Sequence, residues 1–154
     1  MSTQPRTLFY HLPPPAECLA LIIGTLELFP FGILGLRNPA FFAEGYGLPI
    51  SSPPSTTNSP TTTNDHQTKK ALVAAIAARN IQNGILLLTF GLVLRDRRSL
   101  GVVVMAGLVA TVADAVIVGA YGVGGKVVGH CVGVVNCGVV GGSLLFWGRG
   151  DALW

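Results

Sequence analysis

Residues 71–94 read ALVAAIAARNIQNGILLLTFGLVL. A hydrocarbon core about 30 Å thick is crossed by roughly 20 helical residues, so this stretch is long enough to span a bilayer. It nevertheless carries Arg79, Asn80, Gln82 and Asn83 in its interior. An arginine near mid-span costs roughly 2.5–3.5 kcal/mol on insertion scales, and it persists where it faces protein or water and has partners. The rest of the chain must supply those partners.

Composition agrees with a membrane setting. Of the 154 residues half are hydrophobic and only 11% are charged, against about a quarter charged in soluble domains, too few to coat a globule in water. The expectation is a single integral membrane domain over residues 1–154. The net charge is +3, and the one basic cluster is Arg95, Arg97 and Arg98 in a short turn. Without a basic stripe or an aromatic stacking platform, nucleic acid is not an expected partner. Cys18, Cys131 and Cys137 all fall in apolar segments, which reads as small hydrophobic packing and not as a disulfide framework.

Three further runs are long and apolar: residues 16–36, 101–121 and 127–147. With 71–94 they predict an all-α, antiparallel four-helix transmembrane bundle. Val/Gly-rich runs can also be buried parallel strands, but strands are usually 4–8 residues long and these runs exceed 20 with hardly a polar break. Pro13, Pro14 and Pro15 close a polar start and can open the first helix. In that helix Ala20, Gly24 and Glu27 recur at i, i+4 and i+7, so small residues and an acid share one face. It continues a retained span and makes a poor cleavable signal, because it holds Glu17 and Glu27.

The connection after it contains Gly45, Gly47 and Pro49, read as turns, with aromatics suited to a headgroup interface. Residues 51–68 are rich in Ser, Thr, Pro and Asn and are expected to form a flexible loop. In the last span Gly125, Gly129, Gly133, Cys137 and Gly141 repeat every fourth residue, a small-residue seam for close helix contact, within the chain or in a homo-oligomer. The Arg-rich turn between spans two and three places the termini on the cytoplasmic side by the positive-inside rule.

At 1.5 Å per residue, depth follows from position in antiparallel helices. Counted from the face bearing the long loop, Glu27 lies about 14 Å deep, Arg79 about 12 Å, Asp114 about 10 Å and His130 roughly 5–6 Å. Four ionisable residues from four spans therefore share one half of the bilayer. Arg79 can pair with Asp114 or Glu27, and the remaining acid is left for His130 or for a proton. Asp114, Glu27 and His130 are the candidate acid–base groups; Arg79, Asn80, Asn83, Thr111 and Tyr121 are the candidate substrate-binding set. The plainer alternative is that these groups staple the helices together. Glu17 reads as an interfacial, solvated acid and Asn136 as a structural hydrogen-bonder.

Familiar cofactor motifs fail on inspection. Residues 122–126, GVGGK, approach a phosphate loop, but Ala120 stands where the first glycine belongs and Val127 where a Mg²⁺-binding Ser or Thr belongs. His130 and Cys131 with Cys137 are not at zinc spacing. No cofactor or metal is therefore expected, and the chemistry is expected to be acid–base or electrostatic. A proton or ion conductor would need a polar path to both faces, which the cytoplasmic half of spans two, three and four does not offer.

The stretches NPAFFAEGYGLP, AARNIQNGILLL, the Arg-rich turn, MAGLVATVADAVIV and Gly129-His130 resemble a family of small four-helix membrane proteins of unassigned function, found in filamentous fungi and bacteria. The resemblance covers most of the chain except residues 1–15 and 51–68. It implies the four-helix fold and a shared Arg, Asp and His pattern. Members more often carry Arg-Asp where this chain has Arg79-Asn80, which removes one acid beside the arginine. Some fungal members are encoded beside biosynthetic genes. Taken with the polar layer, this leads to the expectation of a membrane-embedded isomerase or cyclase of a lipophilic small molecule in fungal specialised metabolism, in the endoplasmic reticulum. The competing expectation is a non-enzymatic binding or scaffold protein.

Overall fold

The computed structural model describes residues 15–50 and 60–147, with the backbone alone for residues 60–64. The first helix, α1, runs over Pro15–Arg37, opened by Pro15, which has no N–H to leave unsatisfied at a helix start. Within it Glu27–Ile33 is π-helical. Pro30 lies inside that stretch, where it can give no backbone hydrogen bond and its ring crowds the preceding turn, so the helix re-spaces itself instead of breaking.

A short helix, α2, follows over Pro39–Tyr46, where turns were expected. Its signals are nonetheless in the sequence. Asn38 caps the start by accepting from the Phe41 N–H at 3.2 Å, Pro39 takes the first helical position, and Gly47 ends it in the left-handed region with φ 104°. The Leu48 N–H reaches back to the Ala43 carbonyl at 2.9 Å, closing a Schellman turn.

The second spanning helix, α3, covers Pro60–Leu88 and continues as a π-helical stretch over Thr89–Val93. It begins earlier than expected: residues 60–68, read as part of a flexible loop, are helical, while residues 51–59 lie outside the described residues. A helix nucleated by a long apolar span adds one hydrogen bond per residue fixed, and Pro at its start is favourable, so polar composition alone does not stop it. Helix α4 is Arg97–Tyr121. It too starts before the apolar run, because the Asp96 side chain caps it by accepting from the N–H groups of Arg98 at 3.0 Å and Ser99 at 3.2 Å. A 3₁₀ turn at Gly124–Lys126 leads into α5, Val127–Phe146.

Four helices are long and apolar enough to cross a membrane: Pro15–Arg37, Asp65–Val93, Arg97–Tyr121 and Gly124–Phe146. Their outward faces are apolar, with Ile22, Phe29, Leu92, Val109, Val116 and Val139 exposed, as lipid-facing surfaces require. Helices α1 and α3 approach backbone to backbone. A Cβ added at Gly84 would stand 2.7 Å from the Gly24 carbonyl oxygen and 2.7 Å from the Leu28 nitrogen, so only glycine permits this crossing.

The tightly packed core lies in the half of the bundle that holds the α3–α4 turn. There Ala20, Leu87, Leu100, Val104, Cys137, Val140 and Leu144 are buried together. The small-residue seam of α5 contributes only its lower part. Gly133 faces the Thr111 methyl and Gly141 faces Met105 and Val104, whereas a Cβ at Gly125 or Gly129 would meet nothing within 4 Å. The seam is closed by this chain's own α4, and its upper end borders open space.

Glu17 corrects the expectation of a solvated interfacial acid. It is 1% exposed, and its carboxylate lies 3.1 Å from the Arg97 Nε as an ion pair without hydrogen-bond alignment. Arg97 also donates to the carbonyls of Ser143 and Trp147 at the end of α5, where helix carbonyls lack internal partners and carry partial negative charge. One guanidinium thus joins the starts of α1 and α4 to the end of α5. Arg97 is the first residue of α4 and not part of a turn as expected, and the Asp96 cap fixes the helix start from which its side chain reaches inward.

Candidate functional site

In the half bearing the long connection, polar side chains gather beside a smaller apolar cluster of Phe42, Ala43 and Val73. Arg79 of α3 grips Asp114 of α4 with both terminal nitrogens, NH2 to Oδ2 at 2.7 Å and NH1 to Oδ1 at 3.2 Å. This bidentate geometry is the strongest form of such a pair and fixes both side chains. The Asp114 side chain is 12% exposed and that of Arg79 41%, so the carboxylate sits inside and the cation reaches toward the rim.

Tyr46, at the end of α2, meets the same pair. Its hydroxyl interacts with the Asp114 carboxylate and the Arg79 guanidinium. Burial, followed by the hydrogen bond with Asp114 and its charge, pushes the phenol well above its ordinary value, with Arg79 opposing. Tyr46 therefore stays a neutral donor. Its backbone carbonyl is 3.0 Å from the His130 Nε2, and the two rings meet edge to face with centroids 4.8 Å apart. A carbonyl can only accept, so Nε2 carries the proton and Nδ1 of the neutral ring is the acceptor.

Gly47 places Tyr46. Its carbonyl accepts from the Val123 N–H at 2.9 Å, and a Cβ in its place would stand 2.8 Å from the Lys126 Cβ and 3.0 Å from the Val118 Cγ1. The α4–α5 connection therefore docks directly on the end of α2. Sequence reading had given Tyr46 and its neighbours to the headgroup interface. The Asn-Pro and Gly signals around α2 could have revealed the helix, but the long-range docking contact left no local signature.

Glu27 takes no hydrogen bond from Arg79, although both charges of the ion pair act on it. Asn83 donates to its Oε2 at 2.5 Å, so its hydrogen-bond partner is an amide and not a cation. Asn80 donates weakly to the Phe31 carbonyl at 3.4 Å, in the π-helical stretch of α1. Thr111 donates back to the Gly107 carbonyl at 2.9 Å.

Two spaces flank this layer. A cleft of about 690 Å³ is bordered by α1, α2, α4 and α5, with Asn80 of α3 also in its wall, and includes Glu27, Tyr46, Asp114, His130 and Asn136. A recess of about 310 Å³ is lined by Arg79, Gln82 and Asn83 among α1, α3 and α4 residues. Glu27, Asn80, Thr111 and Asp114 border both, so the two acids are reachable from either space. The larger volume falls in the range of small-molecule sites, and its wall is mostly apolar with a few convergent polar groups.

The candidate set is thus largely brought together: Asp114, Glu27, His130, Asn80 and Thr111 line the cleft, while Arg79 and Asn83 line the recess and reach the acids from behind. Tyr121 is not part of it. It is 83% exposed at the end of α4, one turn beyond Val118, which is buried against Gly47 and Gly122. Asn136, expected to hold helices together, is exposed on the cleft wall and has no hydrogen-bond partner among the described residues.

Four spanning helices, packed in one half and opened in the other by a cleft with acids, a histidine and a backing arginine, define a small polar-core membrane bundle. Residues 25–144 match the model of a family described as a domain of unknown function, DUF4267, and the chain belongs to that family. The match takes in every cleft residue discussed from Glu27 to Asn136 and leaves Glu17 outside. Neither curated proteins nor solved structures show a significant match.

Proposed function

We propose that the protein is a membrane-embedded, cofactor-independent isomerase or cyclase of a lipophilic small molecule. The observation that supports this reading is the difference in hydrogen bonding between the two acids on one cleft: Asp114 is clamped by two bonds from Arg79, whereas Glu27 is hydrogen-bonded by the Asn83 amide and meets the Arg79 charge only at longer range. A paired carboxylate is suited to accept a proton or stabilise positive charge. An acid with no cation bonded to it is suited to give one.

Isomerisation or cyclisation needs just that division. Glu27 donates a proton at one atom of the guest, Asp114 balances the developing charge, and a proton leaves from another atom either directly to the Glu27 carboxylate or to His130 Nδ1, which then passes it on so that Glu27 is reprotonated before the next turnover. No electrons are exchanged and the proton count returns to its start. Positioned acid–base groups contribute typically 10²–10⁴-fold each. Following the family resemblance, we assign the substrate to fungal specialised metabolism and the protein to the endoplasmic reticulum. The termini are assigned to the cytoplasmic face, where exposed Arg95 and Arg98 provide the positive charge.

The self-contained pairing of Arg79 with Asp114 and of Asn83 with Glu27 favours a second reading, in which the layer is structural and the protein only binds or scaffolds. Membranes bearing the protein, incubated with a lipid-soluble extract of the cells that make it, separate the two by mass spectrometry. An enzyme of this class yields a product of unchanged mass and altered retention, lost in Glu27→Gln and Asp114→Asn. A folded protein that alters no compound in the extract rejects the enzymatic reading.

A further inference from the structure

We propose that the recess between α3 and α4 is a water-filled inlet, separate from the larger cleft, through which Glu27 and Asp114 exchange protons with the aqueous phase at the face bearing the long connection. The wetting of the recess goes beyond the proposed function and does not depend on it. Only the use of the exchanged proton in turnover rests on that reading.

The recess is polar where the outward helix faces are not. Arg79, Asn80, Gln82 and Asn83 line it from α3, opposite Thr111 and Asp114 of α4. Arg79 has five N–H groups. Two are directed at Asp114 and the Tyr46 hydroxyl meets the same guanidinium, so donors remain on a side chain that is 41% exposed. Gln82, one turn further from the loop-bearing face, is exposed and has no hydrogen-bond partner among the described residues. It lies about 16 Å from the Val93 end of its helix, while Ile85 and Val109, exposed on outward faces nearby, are apolar. An unpaired amide and a guanidinium edge are costly against hydrocarbon and persist where they border a water-filled space.

Size and placement fit water. At about 30 Å³ per molecule, a recess of about 310 Å³ has room for about ten. Arg79 stands nearest the loop-bearing face, where a long charged side chain draws water inward. The other end is walled by Leu86, Val102 and Val103, so the inlet serves one face and does not cross the bilayer. Glu27 borders it directly, and the Asn83 amide that donates to Glu27 packs against α4, where a Cβ at Gly107 would stand 3.2 Å from its nitrogen. A hydronium that gives its proton to the Glu27 carboxylate leaves water behind, and the reverse step returns it. Because Glu27 borders both spaces, it can be reprotonated from the recess while a guest occupies the cleft.

The test uses the full chain in phosphatidylcholine nanodiscs and a methanethiosulfonate reagent with a fixed trimethylammonium charge, its adducts quantified peptide by peptide so that the native cysteines are read separately. Gln82→Cys and Ala106→Cys place thiols on the recess wall. Val109→Cys and Val139→Cys place them at exposed positions outside both spaces. The reagent attacks thiolate, which forms only where water stabilises its charge, so the recess thiols are expected to react at least about a hundredfold faster than the other two. Filling the recess with Ala110→Phe should slow the Gln82→Cys reaction at least about tenfold. Four equal rates overturn the proposal, as does undiminished labelling in the folded Ala110→Phe variant. Copper-catalysed disulfides between copies at Gln82→Cys, with no labelling by the charged reagent, also overturn it and assign the groove to a second copy of the chain. A wet recess in a protein that converts nothing removes the enzymatic reading and leaves the inlet, whereas turnover with a dry recess does the reverse.

Discussion

Both terminal nitrogens of Arg79 contact Asp114, at 2.7 and 3.2 Å, so that a cation of α3 and an acid of α4 are joined by two bonds in the half of the bundle bearing the long connection. The pair is the only strong polar link between α3 and α4 among the described residues, and the Tyr46 hydroxyl rests against it. Separating the two charges leaves a mostly buried carboxylate without its counter-charge. Arg79→Ala and Asp114→Ala are each expected to lower the detergent-solubilised melting temperature. The double variant should lose less than the sum, with a coupling of about 1–3 kcal/mol in a double-mutant cycle. Arg79→Lys should restore little, because an ammonium cannot reproduce two parallel bonds. Additive losses would show that the pair is not an interacting unit.

Glu27 separates chemistry from stability. Glu27→Gln keeps an oxygen to accept from Asn83 and similar volume but holds no transferable proton. Its stability to unfolding should stay within about 0.5 kcal/mol of the parent, typical of a tolerated substitution. Turnover of the identified substrate should fall roughly 10²–10⁴-fold. A variant with parental turnover would remove Glu27 from the reaction.

The spans were readable from the chain because they depend on a short-range quantity, the length of an apolar run, and the rise of a helix was enough to bring Arg79 level with the Asp114 that it meets. Arg79, Asp114 and Glu27 were placed at one level by that arithmetic alone. What could not be read depends on contacts far apart in sequence. Tyr46 reaches Asp114 because the Gly47 carbonyl meets the Val123 N–H, 76 positions along by the numbering, and no local pattern encodes that meeting. Glu17 was misjudged for a related reason. An acid near a helix start is ordinarily solvated, and its burial depends on Arg97 reaching inward from the helix start that the Asp96 cap fixes. The π-helical stretch at Glu27–Ile33 follows from Pro30, whose consequence for the aim of Glu27 is geometric and emerges only with the neighbouring helix in place.

Gly47 should tolerate no side chain. Its φ of 104° costs an L-residue about 1–2 kcal/mol, and a Cβ there collides with Lys126 and Val118. Gly47→Ala is expected to destabilise by more than the conformational term alone and to release the His130 contact with the Tyr46 carbonyl. The imidazole resonances of His130 in solution NMR should shift, whereas Gly45→Ala, with nothing within 4 Å of its Cβ, should leave them in place. Indistinguishable spectra for the two variants would contradict the docking role.

The Glu17–Arg97 pair lies away from the cleft and serves as a control for the first prediction. Arg97→Ala strands a carboxylate that is 1% exposed and removes donors from the Ser143 and Trp147 carbonyls. The expected cost is about 3–5 kcal/mol, the range for breaking a buried pair. Glu17→Leu with Arg97→Met should recover part of it in thermal unfolding. Binding of cleft ligands by whatever fraction remains folded should be unchanged, since neither residue lines the cleft.

Tyr46 links the site to pH. Its phenol is held above the ordinary value of about 10 in the folded protein. Raising the pH through that ordinary value lets the unfolded chain release the proton while the folded chain retains it, so unfolding gains from each increment. The stabilisation is fully present below pH about 10 and declines above it. Thermal unfolding of the parent between pH 8 and 11 is therefore expected to show a downward step beginning near pH 10, and Tyr46→Phe should flatten it while starting from a lower melting temperature. Tyr121→Phe should leave the step intact, because that ring is 83% exposed. A step that survives Tyr46→Phe unchanged would place its origin in another group and detach the Tyr46 hydroxyl from the Arg79–Asp114 pair.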